Sequence, residues 1–193
     1  MKRSLVVFGI VFLLMVSIAS ARVLDYYGKV EGQAEVKGPT FYASNENITG
    51  TLYYKKLLIN QPPSTSGEVS FIDGLLQSFG SSSLNVDSFY RPKFDFYVNA
   101  KISDATIPRP LILRVYIWDP STTNIIQPAI CEVMVNITST SYNSYTATCS
   151  GTSPLSLDPN YGFLWEIKGG AGLASITYSI NLDGYTRFEV SPA

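Results

Sequence analysis

Hydrophobic and polar residues alternate along most of this chain with a period of two. Between Lys29 and Val36 the residues Val30, Gly32, Ala34 and Val36 fall on one side, with Lys29, Glu31, Gln33 and Glu35 on the other. From Lys93 to Ile102 larger groups repeat the pattern: Phe94, Phe96, Val98, Ala100 and Ile102 point one way, while Lys93, Asp95, Tyr97, Asn99 and Lys101 point the other. Such alternation predicts half-buried antiparallel strands. Leu111–Trp118 is apolar at most positions and reads as a central strand. Further strands are expected at 40–43, 52–59, 68–72, 131–137, 142–149, 161–168, 173–182 and 185–190.

Turn residues punctuate these runs. Asp183-Gly184 between two alternating stretches predicts a two-residue hairpin. Pro62-Pro63, Pro108, Pro110, Asp119-Pro120, Pro154 and Asp158-Pro159 mark other breaks. Residues 139–142 are expected to reverse the chain between two paired strands, with Cys131 and Cys149 near the far ends of that hairpin. Only Asp73–Phe79, with Leu75, Leu76 and Phe79, carries a helix-like spacing, enough for one or two turns. About ten short strands with regular turns predict an all-β fold: an antiparallel two-sheet sandwich, jelly-roll-like, carrying one disulfide.

The opening residues depart from the pattern. Met1-Lys2-Arg3 is followed by an apolar run from Leu5 to Val16 and then by Ala19-Ser20-Ala21. A cationic start, an apolar centre and a small-residue cleavage site make a secretory signal peptide over 1–21. The alternative is an uncleaved anchor, since the apolar stretch approaches the roughly 18 residues of a spanning helix. Membrane contact is expected only through that segment. The mature part, 22–193, is then one extracellular β-sandwich domain, secreted or held at the cell surface.

Charge and composition narrow the chemistry. There are 14 basic residues, 12 once Lys2 and Arg3 are removed, against 15 acidic ones. A mildly acidic chain lacks the basic surface that a nucleic-acid partner needs. Histidine is absent, which removes Ser-His-Asp and Cys-His catalysis and His-ligated transition metals. In an oxidising compartment Cys131 and Cys149 read as a disulfide. Gly169-Gly170-Ala171-Gly172 lacks the lysine and spacing of a phosphate loop.

What remains is chemistry that carboxylates, amides and aromatic rings can perform. A glycosidase works with two carboxylates, and Asp95, Glu132, Glu166 and Glu189 are the strand-borne candidates. No cofactor is expected; a structural calcium is the one inorganic ligand that loop acids such as Asp73, Asp87, Asp104, Asp119, Asp158 and Asp183 suggest, although each also suits a turn. Asn47 and Asn136 open N-glycosylation sequons. The chain holds 13 tyrosines, with aromatic pairs at Tyr26-Tyr27, Phe41-Tyr42, Tyr53-Tyr54 and Phe89-Tyr90. Alternation sends one of each pair outward, where it can stack on a sugar or a protein partner.

The stretch from Gly28 to Tyr42, GKVEGQAEVKGPTFY, resembles a group of small exported β-rich proteins of hyperthermophilic archaea, and Tyr90–Val98, the two cysteines and Gly184–Val190 are compatible with it. The resemblance implies an exported archaeal β protein and carries no site residue. The early strand-like segment 22–37 is also similar in kind to the donor strands of exported fibre subunits. Two non-enzymatic functions are therefore expected, ahead of a carboxylate-dependent hydrolase. One is a structural or adhesive surface protein that associates with itself by strand addition or with other surface components. The alternative is a carbohydrate-binding module that takes glycans as partners.

Overall fold

The computed structural model describes residues 38–50, 54–84, 88–89, 92–151, 155–170 and 175–192. The predicted leader, the strand at 29–36, Asp87 and Tyr53 lie outside the described residues. In chain order the strands are β1 (Thr40–Asn47), β2 (Tyr54–Ile59), β3 (Glu68–Ile72), β4 (Leu76–Gly80), β5 (Ser88–Phe89), β6 (Pro92–Ile102) and β7 (Arg109–Asp119). They continue with β8 (Asn124–Ile125), β9 (Cys131–Ile137), β10 (Asn143–Ser150), β11 (Leu155–Ser156), β12 (Gly162–Gly169), β13 (Thr177–Asn181) and β14 (Arg187–Pro192). All-β architecture with one disulfide is what the period-two pattern predicts.

One hydrogen-bonded ladder runs β10-β6-β14-β1-β2-β4-β12-β7-β9, while β13 and β3 extend from β6 and β8 lies beside β7. Yet Phe96 of β6 packs on Trp165 of β12 with ring centroids 5.8 Å apart, and Phe94 packs on Phe163 at the same distance. Four strands separate β6 from β12 along the ladder, so the sheet folds back on itself into two facing layers. Layer one holds β10, β6, β14, β13, β3 and the start of β1; layer two holds β2, β4, β12, β7, β9 and β8. The corner is β1, whose pairing with β2 shifts register between Ala43 and Asn47, the kind of irregularity that bends a strand. The core is aromatic: Phe41, Phe94, Phe96, Phe163, Trp165 and Phe188 are fully buried and mutually packed. Edge-to-face and offset rings of this kind add roughly 0.5–1.5 kcal/mol per pair beyond their burial.

The structure departs from sequence expectation in four places. β2 and β4 pair in parallel, Tyr54 opposite Ser78 and Lys56 opposite Gly80, so the sheet is mixed. Asp73–Phe79 is a turn followed by strand: Gly74 takes φ 87°, and β4 pairs with β12 from Leu76–Lys168 to Gly80–Leu164. Burial of Phe79 in the core outweighs the local helical spacing. Third, β9 pairs with β7 and β10 with β6, so residues 138–142 carry the chain between layers and no hairpin ladder forms. Cys131–Cys149, with Cα atoms 5.9 Å apart, joins the two layers at the edge opposite the β1 corner. Finally, β13 and β14 do not pair. Both lie antiparallel along the same edge of β6, with Tyr178 opposite Ile102 and Arg187 opposite Tyr97. The Asp183-Gly184 turn loops out between them, and the Thr186 hydroxyl fills the gap, accepting from Asn99 N–H at 3.2 Å and donating to the Asn181 carbonyl at 2.6 Å.

Candidate functional site

The four carboxylates nominated from sequence, Asp95, Glu132, Glu166 and Glu189, fall into two pairs, one on the outer face of each layer. On layer two, Arg114 of β7 stands between Glu132 of β9 and Glu166 of β12, its cross-strand neighbours. Arg114 Nε donates to Glu132 at 2.6 Å and Nη1 to Glu166 at 3.1 Å. These bonds, Glu132 foremost, raise the guanidinium pKa further above its ordinary value despite partial burial, and burial also pushes the Tyr116 hydroxyl up. This face is buried in part, with Glu132 left 55% exposed. Glu166, Ser78 and Leu164 are buried beneath their neighbours. Trp118, wholly buried, lies over Gly80, where a Cβ would stand 2.2 Å from the indole, and its N–H is spent on the Ser81 carbonyl at 3.0 Å. A cleft of about 480 Å³ beside it is walled mainly by apolar side chains, and its Lys56 is paired to Glu46 at 2.8 Å.

The outer face of layer one is open. Along β6 the side chains of Lys93, Asp95, Tyr97, Asn99 and Lys101 point outward, as their alternation predicts, and all are partly exposed. Cross-strand register aligns Thr146, Tyr97, Arg187 and Tyr42 in one row over β10, β6, β14 and β1. The Arg187 guanidinium lies 4.2 Å from the Tyr97 ring centroid. The next row is Thr148, Asp95, Glu189 and Thr40. Here Asp95 accepts from Thr148 at 2.6 Å and pairs with Lys93 at 2.9 Å, while Glu189 pairs with Arg187 at 3.1 Å. Asp95 and Glu189 are therefore neighbours, but each is matched by its own cation. The arrangement presents charge-assisted acceptors and donors beside aromatic rings on one face of the sheet.

The remaining candidates find plainer places. Asp104 accepts from Thr106 N–H and hydroxyl, Asp119 from Ser121 and Thr122, and Asp158 from Asn160, all within their own turns. These bonds hold the Asp104 and Asp119 carboxyls below the usual range. Asp183 accepts from Gly67 N–H at 2.8 Å, and Asp73 is buried at the turn before β4. Among the described residues no group of three or more Cys, Asp or Glu side chains gathers in metal-binding geometry. Asn47 and Asn136 are both exposed, at the end of β1 and on the outer side of β9. Two residues that sequence reasoning did not nominate, Arg187 and Tyr142, turn out to organise the open face; an arginine in an alternating strand beside tyrosines was the available signal for the first.

No protein-family model matches this chain, and no curated sequence does. Solved structures do. A CocE/NonD family hydrolase from Staphylococcus aureus superimposes with a TM-score of 0.60 at 7% identity, covering 83% of this chain and 37% of its own. An aminopeptidase from a marine-sediment Thaumarchaeota archaeon gives 0.58 at 8% identity, covering 80% and 36%. An alpha-amino acid ester hydrolase gives 0.55 at 8% identity, covering 79% and 35%. The likeness is one of fold, a β-sandwich, and this chain spans about a third of the length of those hydrolases.

Proposed function

We propose that this chain is a non-catalytic, exported β-sandwich that binds carbohydrate along the open outer face of layer one. One observation carries the reading: the Tyr42–Arg187–Tyr97 row, backed by Asp95 and Glu189. Tyr42 and Tyr97 stand two strand spacings apart, about 10 Å, comparable with the disaccharide repeat of an extended β-linked glycan. Tyrosine rings offer apolar faces to sugar C–H groups, and the carboxylates and guanidinium match sugar hydroxyls as acceptors and donor. Carboxylates held in place by neighbouring cations suit accepting from sugar hydroxyls. The disulfide accords with an oxidising, extracellular setting. The strand-addition expectation rests on residues 22–37, outside the described residues, and draws no support from the described fold.

Screening the mature protein on a glycan array, followed by titration calorimetry on the best ligand, tests the reading. Tyr97→Ala is expected to weaken that ligand at least tenfold while leaving the thermal midpoint within a few degrees. An array without a hit, or full affinity in Tyr97→Ala, overturns it.

A further inference from the structure

The outer face of layer two changes character within one step along its strands. Glu132, Arg114, Glu166 and Ser78 form its charged row. Two residues further along each strand the next row is Met134 of β9, Ile112 of β7, Lys168 of β12 and Leu76 of β4. Met134 is 56% and Leu76 48% exposed, while Ile112 and Lys168 are partly exposed. Lys168 interrupts the row only with its head, since its stem is apolar. Single exposed apolar side chains are ordinary, but a stripe of them across four strands marks a surface that is covered by something.

The row beyond the stripe supplies the cover. There Asn136 stands opposite Pro110, about 7 Å from Met134 on the same face. Asn136 opens the sequon Asn136-Ile137-Thr138. Alternation divides its three residues: Ile137 is wholly buried and anchors the strand, while Asn136 and Thr138 are both exposed. The acceptor amide is therefore aimed outward at the border of the stripe, which runs about 14 Å from Met134 to Leu76. The other sequon has no such neighbour. Asn47 lies among charged side chains, opposite Lys55 and next in sequence to Glu46.

We propose that Asn136 carries an N-linked oligosaccharide whose first sugars lie over the Met134–Ile112–Leu76 stripe, so that the chain's own glycan covers this part of layer two while layer one stays free. Transfer forms a bond from Asn136 Nδ2 to the anomeric carbon of a lipid-diphosphate-linked oligosaccharide. The anomeric C–O bond to phosphate breaks, and the lipid diphosphate leaves with one amide proton released. A bulky hydrophilic group is then tethered beside exposed apolar surface, which keeps that surface from joining a second molecule.

The inference rests on the export half of the reading above and is independent of which ligand layer one binds. Its test uses the full-length chain produced in a eukaryotic secretory cell line and collected from the medium. Peptide mass mapping after enzymatic glycan release in heavy-oxygen water is expected to find labelled aspartate at position 136. Apart from Met1 and Met15 in the leader, Met134 is the sole methionine, so peroxide oxidation of the secreted protein reads the stripe directly. Oxidation is expected to run about threefold slower in the glycosylated protein than in Asn136→Gln. Enzymatic removal of the glycan from the folded protein gives the same comparison without a substitution. A bare Asn136 in secreted protein overturns the proposal and leaves export intact. A glycan at Asn136 with equal oxidation rates overturns the covering of the stripe. Protein retained in the cells with its leader uncut overturns the export reading, and the proposal falls with it.

Discussion

The two outer faces of the sandwich use the same ingredients to opposite ends. Each has an arginine among strand-borne carboxylates with tyrosines nearby. On layer two, Arg114 satisfies Glu132 and Glu166 together, the second of them buried and the first more than half exposed. On layer one, Arg187 spends one side on Glu189 and lays its plane on Tyr97, leaving Asp95 to Lys93. An arginine shared with a buried carboxylate acts on stability; a row of pairs at the surface of layer one stands where a ligand can reach it. Residue type does not distinguish them, and what does is the buried Glu166 that shares Arg114.

That contrast can be broken experimentally. The largest expected effect comes from the link that holds the two layers together. Cys131→Ser with Cys149→Ser removes a bridge over 18 residues and is expected to cost about 3 kcal/mol, read as a shift of the denaturant midpoint. Both faces would be destabilised alike, because the bond spans the layers; an unchanged midpoint would show that the seam stands without it. Next, Arg114→Ala is expected to lose about 2 kcal/mol by stranding the buried Glu166 with glycan affinity unchanged. Arg187→Ala should do the reverse, with under about 1 kcal/mol of stability lost from its half-exposed contacts and at least a tenfold fall in affinity. Chemical denaturation and calorimetry on the same two proteins decide it, and matching profiles would erase the distinction between the faces.

The smallest expected effect is acidic. Hydrogen bonding, Tyr142 first, lowers the Glu68 carboxyl below its ordinary value. A group with a depressed folded pKa contributes stability above its unfolded pKa of about 4.3, and that contribution disappears as pH falls through the lower folded value. Thermal midpoints taken from pH 5 to pH 3 should therefore drop slightly more in the native protein than in Glu68→Gln. An equal drop in both would mean the Tyr142–Glu68 bond does not persist in solution.

How much of this was readable from the chain follows from what alternation encodes. The inward set on β6, from Phe94 to Ile102, and its outward set are as the period of two predicts, because which face a residue occupies is a local property. Which strand lies beside it is not. Asp95 and Glu189 are far apart in sequence, as are Arg114 and Glu166, and no periodicity pairs them. The same limit explains the cysteine strands and the Asp183-Gly184 turn: a short polar break fits a hairpin, a crossing between layers, or an excursion along one edge. Tyr142 was read as part of a turn, and only its reach over Lys101 to Glu68 gives it a second role.

The in-line placement of β13 and β14 has one more consequence. Because Thr186 mends the ladder at Asn99, the residues from Asp183 to Tyr185 hang from a rail that is secured before and after them. They can be lengthened, shortened or exchanged without touching the aromatic interior. A lineage could change what this edge of the sandwich presents by editing this one tab, and a designer could graft a new surface there, provided the Gly67–Asp183 bond is kept.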